Sequence, residues 1–224
     1  MTSGIAIERI KQRLQKQDTN FNPNFLDEEF EDAINKAVND WVRRQHHGFN
    51  QFKEGDEQSE QRVDDLQILL TDRKISVNNR GIYSETVKFP VDYRYYKRLT
   101  PYVSKGSCKK VTIKSMFVEE SNVDDYIKDW TFRPSFDFEE TFHTLVNNKF
   151  RIYHNNDFTV DEVLLTYYRN PAHISCLKKD YDIVWEWKDD EAEVIIDEAV
   201  KILAGDTENG NAYELANKRV EENN

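Results

Sequence analysis

Apolar residues recur every three or four positions at the two ends of the chain and every second position between them. Ile7, Ile10 and Leu14 follow Thr2-Ser3, a pair suited to an N-cap, and predict a first helix that Asn22-Pro23-Asn24 breaks. A second helix begins near Asp27, with Leu26, Phe30, Ile34, Val38 and Trp41 on one face and Gly48 as its stop. Ala33 and Ala37 flank that stripe and leave room for a partner helix. Val63, Leu66, Ile68 and Leu70, preceded by Glu57-Gln58-Ser59-Glu60, predict a third.

From about Thr71 the period shortens towards two. Lys74 to Val77, Ile82 to Phe89 and Tyr93 to Tyr102 are rich in β-branched and aromatic residues, punctuated by Asn78-Asn79, Pro90 and Pro101. Val111, Ile113, Ser115 and Phe117 alternate with their neighbours as in a strand, and Val123 to Asp129 predicts a short helical turn. Thr141 to Val146 and Lys149 to His154, separated by Asn147-Asn148, predict a hairpin with a two-residue turn. Glu162 to Arg169 is apolar on both faces (Val163, Leu164, Leu165), which suits a central strand that Pro171 closes. Helical periodicity returns at Trp187, with Ala192, Ile195, Ile196, Ala199, Ile202 and Leu203 on one wide face and Gly205 as its cap. After a polar linker at 206–211, Leu215, Ala216 and Val220 give a weak last helix, too short to be stable alone.

The expected fold is α+β. Residues 1–72 form a helical part, 73–186 an inserted, mainly antiparallel β domain, and 187–224 a C-terminal helix and arm packing with 1–72. The arm is expected to become ordered only on a neighbouring subunit.

Composition narrows the classes. The chain is 38% hydrophobic and 33% charged, with a mean hydropathy of -0.83, which suits a globular protein with much exposed surface. No apolar run approaches the roughly 20 residues of a membrane helix, and the first residues lack the basic start and apolar core of a signal peptide. Assembly in a cytoplasm is therefore expected. Cys108 and Cys176 have no metal-type spacing and read as small buried residues. A formal net charge of -11 opposes a grip on DNA phosphates, and the clusters at Arg43-Arg44, Arg94 to Arg98 and Lys105 to Lys110 are short.

Candidate chemistry is sparse. His46-His47 suits a helix C-terminus, since adjacent helical side chains diverge by roughly 100° and do not share a metal easily. Glu139-Glu140 and Asp189-Asp190-Glu191 offer paired acids, but the second group opens a helix, where acids favour the positive end. A carboxylate-dependent hydrolase would need Glu139, Glu140, Asp189 and Asp190 to converge. His143 and His154 fall on the two arms of the hairpin and would face each other without an evident third ligand. Nucleophile-elbow, P-loop, dinucleotide-binding and zinc-protease motifs are absent. The expectation is a protein that is not an enzyme, with no catalytic residue, cofactor or metal. The aromatic clusters Tyr93-Arg94-Tyr95-Tyr96, Trp130-Thr131-Phe132-Arg133-Pro134 and Tyr167-Tyr168-Arg169 point instead to protein contact, where Tyr, Trp and Arg dominate binding energy.

Three groups of residues carry a family resemblance. Asp40-Trp41-Val42-Arg43-Arg44-Gln45 and Gln61-Arg62-Val63-Asp64-Asp65-Leu66 form the first. Arg133-Pro134-Ser135-Phe136-Asp137-Phe138-Glu139-Glu140-Thr141-Phe142 with Asn147-Asn148-Lys149 form the second, and Val163 to Pro171 with the helix from Glu193 to Leu203 the third. Together they resemble structural proteins of crAss-like bacteriophages, over residues 26–204. The resemblance implies a ring-forming head-to-tail connector (adaptor) subunit of the virion, below the portal, lining the channel through which DNA is retained and ejected. It implies a homo-oligomeric ring, a dodecamer by analogy, with the portal and other tail ring proteins as partners, transient non-specific passage of duplex DNA, and no membrane. A lower tail ring or tail-hub subunit shares these features, and a phage binding module outside the virion would differ by staying monomeric.

Overall fold

The computed structural model describes residues 1–15, 25–47, 64–107, 110–206, 214 and 216–219. The break at Asn22-Pro23-Asn24, Gly48, Glu57 to Glu60, Val63, Cys108, the linker at 206–211 after residue 206, and Leu215 and Val220 lie outside the described residues. In chain order the first elements are α1 (Ser3–Gln15), α2 (Asp27–His47), β1 (Leu70–Asn79), β2 (Tyr83–Thr86), β3 (Tyr93–Ser104), β4 (Val111–Thr112) and β5 (Lys114–Phe117). There follow α3 (Val123–Lys128), β6 (Glu140–Val146), β7 (Lys149–Tyr153), β8 (Thr159–Arg169) and α4 (Asp189–Asp206). The fold is α+β, and all sheet pairings are antiparallel except β5 with β6. No helix among the described residues is long and apolar enough to cross a membrane.

The chain divides into two compact units, Met1–Ile68 with Pro171–Asn224, and Leu69–Asn170. The first is helical. Thr2 caps α1 by accepting from the Ile5 amide (3.4 Å), and Ala6, Ile7, Ile10 and Leu14 bury its apolar stripe. At the start of α2 the Glu29 carboxylate turns back to accept from the Leu26 amide (2.7 Å). Leu26 therefore stands outside the helix and is 59% exposed, while Phe30, Ile34, Val38 and Trp41 are buried. Ala33 and Ala37 are buried beside them. Both helices pack on α4: the Trp41 and Trp187 rings meet edge-on at 5.1 Å, and Arg13 and Arg44 bond to Asp197 (2.7 Å) and Glu198 (2.8 Å).

Two boundaries differ from the sequence reading. Residues 171–186, placed within the 73–186 β domain, belong with the helical unit, where they are tied to α1 and α2. The Asn35 side chain bonds both the oxygen and the amide of Ile174 (2.8 and 3.0 Å), and Glu31 accepts from the Cys176 amide (3.0 Å). The Trp185 amide donates to the Met1 oxygen (2.9 Å). The third helix also ends earlier than its pattern suggests. Among the described residues Asp64 and Asp65 are helical, Gln67–Leu69 is a 3₁₀ turn, and Leu70 already opens β1. Among the described residues of the C-terminal segment, Ala216 is 1% exposed and Arg219 lies 3.8 Å from Asp197.

In the second unit the strand order is β4-β3-β8-β1-β2-β7-β6-β5. The run that carries β4 and β5 bonds to both ends of that order: the Ile113 amide donates to Pro101 on β3 (3.2 Å), and the next amide, Lys114, to Glu139 beside β6 (2.9 Å). The sheet thus closes on itself. Ile75, Leu99, Phe150, Ile152, Val163 and Leu165 fill the interior, as side chains do in barrels of this size. Pro101 lies inside β3 rather than ending it, since its oxygen serves Ile113 and no strand amide is needed there. β8 is central, between β3 and β1. Asn147 and Asn148 take φ of 50° and 56°, the left-handed pair that a two-residue hairpin turn requires.

Candidate functional site

The β3–β8 pairing brings two of the three aromatic clusters together. Tyr95 lies opposite Tyr168, Tyr96 opposite Tyr167, Arg98 opposite Thr166, and Tyr102 opposite Glu162. Alternation then sorts the rows. One set turns into the barrel, where Tyr96 meets Phe117, His143 and Phe150 at centroid distances of 5.8, 5.4 and 5.3 Å. Burial pushes the Tyr96 phenol up to about 12. The other set turns outward and includes Tyr95, Arg98, Thr100 and Tyr102 on β3, with Lys74 from β1.

Two irregularities enrich that outer face in cations. The register shifts between Tyr93 and Tyr95 and between Tyr96 and Arg98, so Arg94 and Lys97 are extra residues in the strand. The Arg94 guanidinium lies 5.3 Å from the Tyr95 ring, and the Lys97 ammonium 6.0 Å from that of Tyr168. Lower on the face, Lys74 and Lys110 flank the Tyr102 ring at 4.9 and 5.2 Å. Both also donate to Glu162 (3.2 and 2.7 Å), and the bonds from Lys110 and then Lys74 hold its carboxyl below the usual range. Lys97 and Arg98 are exposed and make no ion pair among the described residues. This Tyr, Lys and Arg surface is suited to binding another macromolecule.

The third cluster stands apart. Trp130 is 71% exposed with the Arg133 guanidinium 4.1 Å above its ring, and Phe132 rests on Tyr126 at 5.4 Å.

The residues weighed for chemistry have structural surroundings. Glu139 sits in a left-handed turn (φ 55°) before β6, and Glu140 pairs with Lys114. The Asp189 carboxylate accepts from the Met1 ammonium (2.9 Å), and Glu191 accepts from the Lys188 amide (3.1 Å), so this trio caps α4. Glu139 and Glu140 belong to the sheet unit and Asp189 and Asp190 to the helical unit. The two hairpin histidines do not face each other. His143 is fully buried with its Nδ1 2.6 Å from Ser115 Oγ, whereas His154 accepts from the Asn156 amide (3.2 Å) and lies against Phe158. Burial pushes the His143 imidazole down to about 3 and lowers that of His154. Cys176 is buried, which raises its thiol to about 12. His46 and His47 close α2, the side chain of His47 lying outside the described residues. Among the described residues, no group of three or more His, Cys, Asp or Glu is placed to hold a metal ion.

Lys74, Lys110 and Glu162 were not singled out by sequence. Alternation within β1 and β8 was the available signal, but cross-strand register is needed to put them around one ring. Compared with protein-family models and with curated proteins, the sequence matches none.

Proposed function

We propose that this chain is a ring-forming structural subunit of a tailed-phage virion, placed at the head-to-tail connector below the portal. The observation that carries the reading is the outward Tyr, Lys and Arg face of β3 and β8. It sets the partly exposed Tyr95 and Tyr102 and the exposed Lys97 and Arg98 of β3 over Tyr168, which is buried with Lys97 6.0 Å from its ring and belongs to the segment Val163 to Pro171 that resembles crAss-like phage structural proteins. Such a face suits repeated subunit contacts, and a head-to-tail contact between two different patches closes into a ring when the rotation permits. In this reading the N- and C-terminal helices build the body of each subunit, and the inserted β unit supplies the contact surface. The helical unit carries the acidic excess of the chain, which suits a wall that duplex DNA passes without sticking.

Mass spectrometry of purified virions is expected to find the chain at many copies per particle, and native mass spectrometry or electron microscopy of the purified protein is expected to show closed rings. A chain absent from virions and monomeric at all concentrations would overturn the reading.

A further inference from the structure

Charge is divided unequally between the two units. Residues 69–170 carry 16 Lys and Arg against 14 Asp and Glu, and the remaining residues 15 against 28. Within the sheet unit the imbalance sharpens: residues 69–113, which hold β1 to β4, carry 10 cations against three acids, Asp72, Glu85 and Asp92. Two of those acids are engaged. Asp92 accepts from the Tyr167 hydroxyl (2.9 Å), and Glu85 meets Lys149 (3.3 Å) and Arg80 (3.8 Å). Among the described residues, Lys97 and Arg98 make no ion pair on the outward face.

The helical unit presents the opposite sign. On α2, Asp27 accepts from the Tyr181 hydroxyl (3.2 Å), Glu29 caps the helix, and Glu31 holds the Cys176 amide, so these acids are used internally. Glu28 and Asp32 are one turn apart on the same helix, exposed, and without an ion pair among the described residues. Glu8 on α1 is also exposed and acts on the same Tyr181 phenol as Asp27, while Lys11 of α1 lies 5.4 Å from the Phe30 ring of α2.

We infer that the outward β3–β8 face, through Lys97 and Arg98, docks on the acidic α2 surface at Glu28 and Asp32 of a second copy of this chain, in a head-to-tail contact. The inference rests on the ring reading above and names its interface. Charge complementarity selects the occupant. A polyanion such as duplex DNA is the lesser fit, because Lys74 and Lys110 are already bonded to Glu162, which leaves a narrow cationic strip rather than a groove that follows a phosphate backbone. A second copy brings surplus carboxylates in every subunit, so each contact offsets one surplus with the other.

Reciprocal charge reversal tests this with the full-length chain. The variant Lys97→Glu with Arg98→Glu and the variant Glu28→Lys with Asp32→Lys alter only exposed side chains, and circular dichroism checks that both fold. Each alone is expected to raise the concentration for half-assembly at least tenfold by sedimentation velocity or native mass spectrometry. Mixed in equal amounts they are expected to assemble again, in alternation, because every contact then joins opposite charges. The four-fold variant is expected to assemble by itself. Undiminished assembly of each two-site variant would overturn this interface and leave the ring reading standing. Weakened assembly without rescue on mixing would also overturn it. Loss of duplex-DNA retention by Lys97→Glu with Arg98→Glu, with assembly unchanged, would reassign the face to DNA. A wild-type chain that never assembles would take down the ring reading itself.

Discussion

At the scale of single residues, His143 couples the barrel interior to pH. Its ring lies among Tyr96, Phe117 and Phe150, its Nδ1 meets Ser115, and its Nε2 has no hydrogen-bond partner among the described residues. Such surroundings stabilise the neutral imidazole and disfavour the cation, which is why burial lowers its pKa from 6.5 to about 3. Between those two values the unfolded chain binds a proton that the folded chain refuses. Stability is therefore full above about 6.5 and falls as the pH drops towards 3. His154, lowered by burial in the same direction, adds to the effect. Urea unfolding across this range is expected to show wild type losing up to about 1.4 kcal/mol more per pH unit than His143→Phe, which has no proton to accept. Parallel pH curves for the two proteins would show that the imidazole titrates normally.

Among elements, the attachment of α1 to α4 gives the clearest expectation. Arg13 bonds to Glu193 and Asp197, and Asp197 is buried; burial raises the Asp197 carboxyl and lowers the Arg13 guanidinium. Removing the cation would leave a carboxylate in a protein interior with, among the described residues, Arg219 at 3.8 Å to meet it. Arg13→Ala is expected to cost about 3 kcal/mol in thermal or chemical unfolding, and the double variant Arg13→Ala with Asp197→Leu to recover most of it, since a buried ion pair is replaced more cheaply than it is broken. This contact joins residues 184 apart, and nothing in the periodicity of either helix announces it. Local signals were legible for a physical reason: Asn147-Asn148 shows its turn because both residues tolerate positive φ, and the buried faces of α1, α2 and α4 show through three- and four-residue spacing. Leu66 to Leu70 misled because Ile68, counted on the apolar face, is 41% exposed, while the 3₁₀ turn buries Leu69 and Leu70 already opens β1. The candidate face was half legible. Its tyrosines and arginines stood out in sequence, but the register that joins Tyr95 to Tyr168 and Lys74 to Tyr102 depends on long-range pairing.

For the whole molecule, the segregation of charge changes what the net value means. An excess of -11 read along the chain suggests a uniformly acidic surface. Divided by unit, the helical part holds a surplus of acids while the sheet part is nearly balanced and locally basic. A contact between exposed opposite charges weakens as salt shortens their reach, from about 10 Å at 0.1 M to about 3 Å at 1 M. A contact made mainly by Tyr95, Tyr102 and the exposed Trp130 would instead hold or tighten, because apolar association is not screened. The two mechanisms therefore differ in sign. If the Lys97–Arg98 face carries assembly, raising sodium chloride from 0.05 to 0.5 M is expected to raise the half-assembly concentration roughly tenfold, largely through slower association, since steering by opposite charges acts on the approach of partners. Stopped-flow light scattering separates that effect from faster dissociation. Salt-independent assembly would move the interface to the aromatic loop around Trp130, whose ring carries the Arg133 guanidinium 4.1 Å from its centre and is 71% exposed.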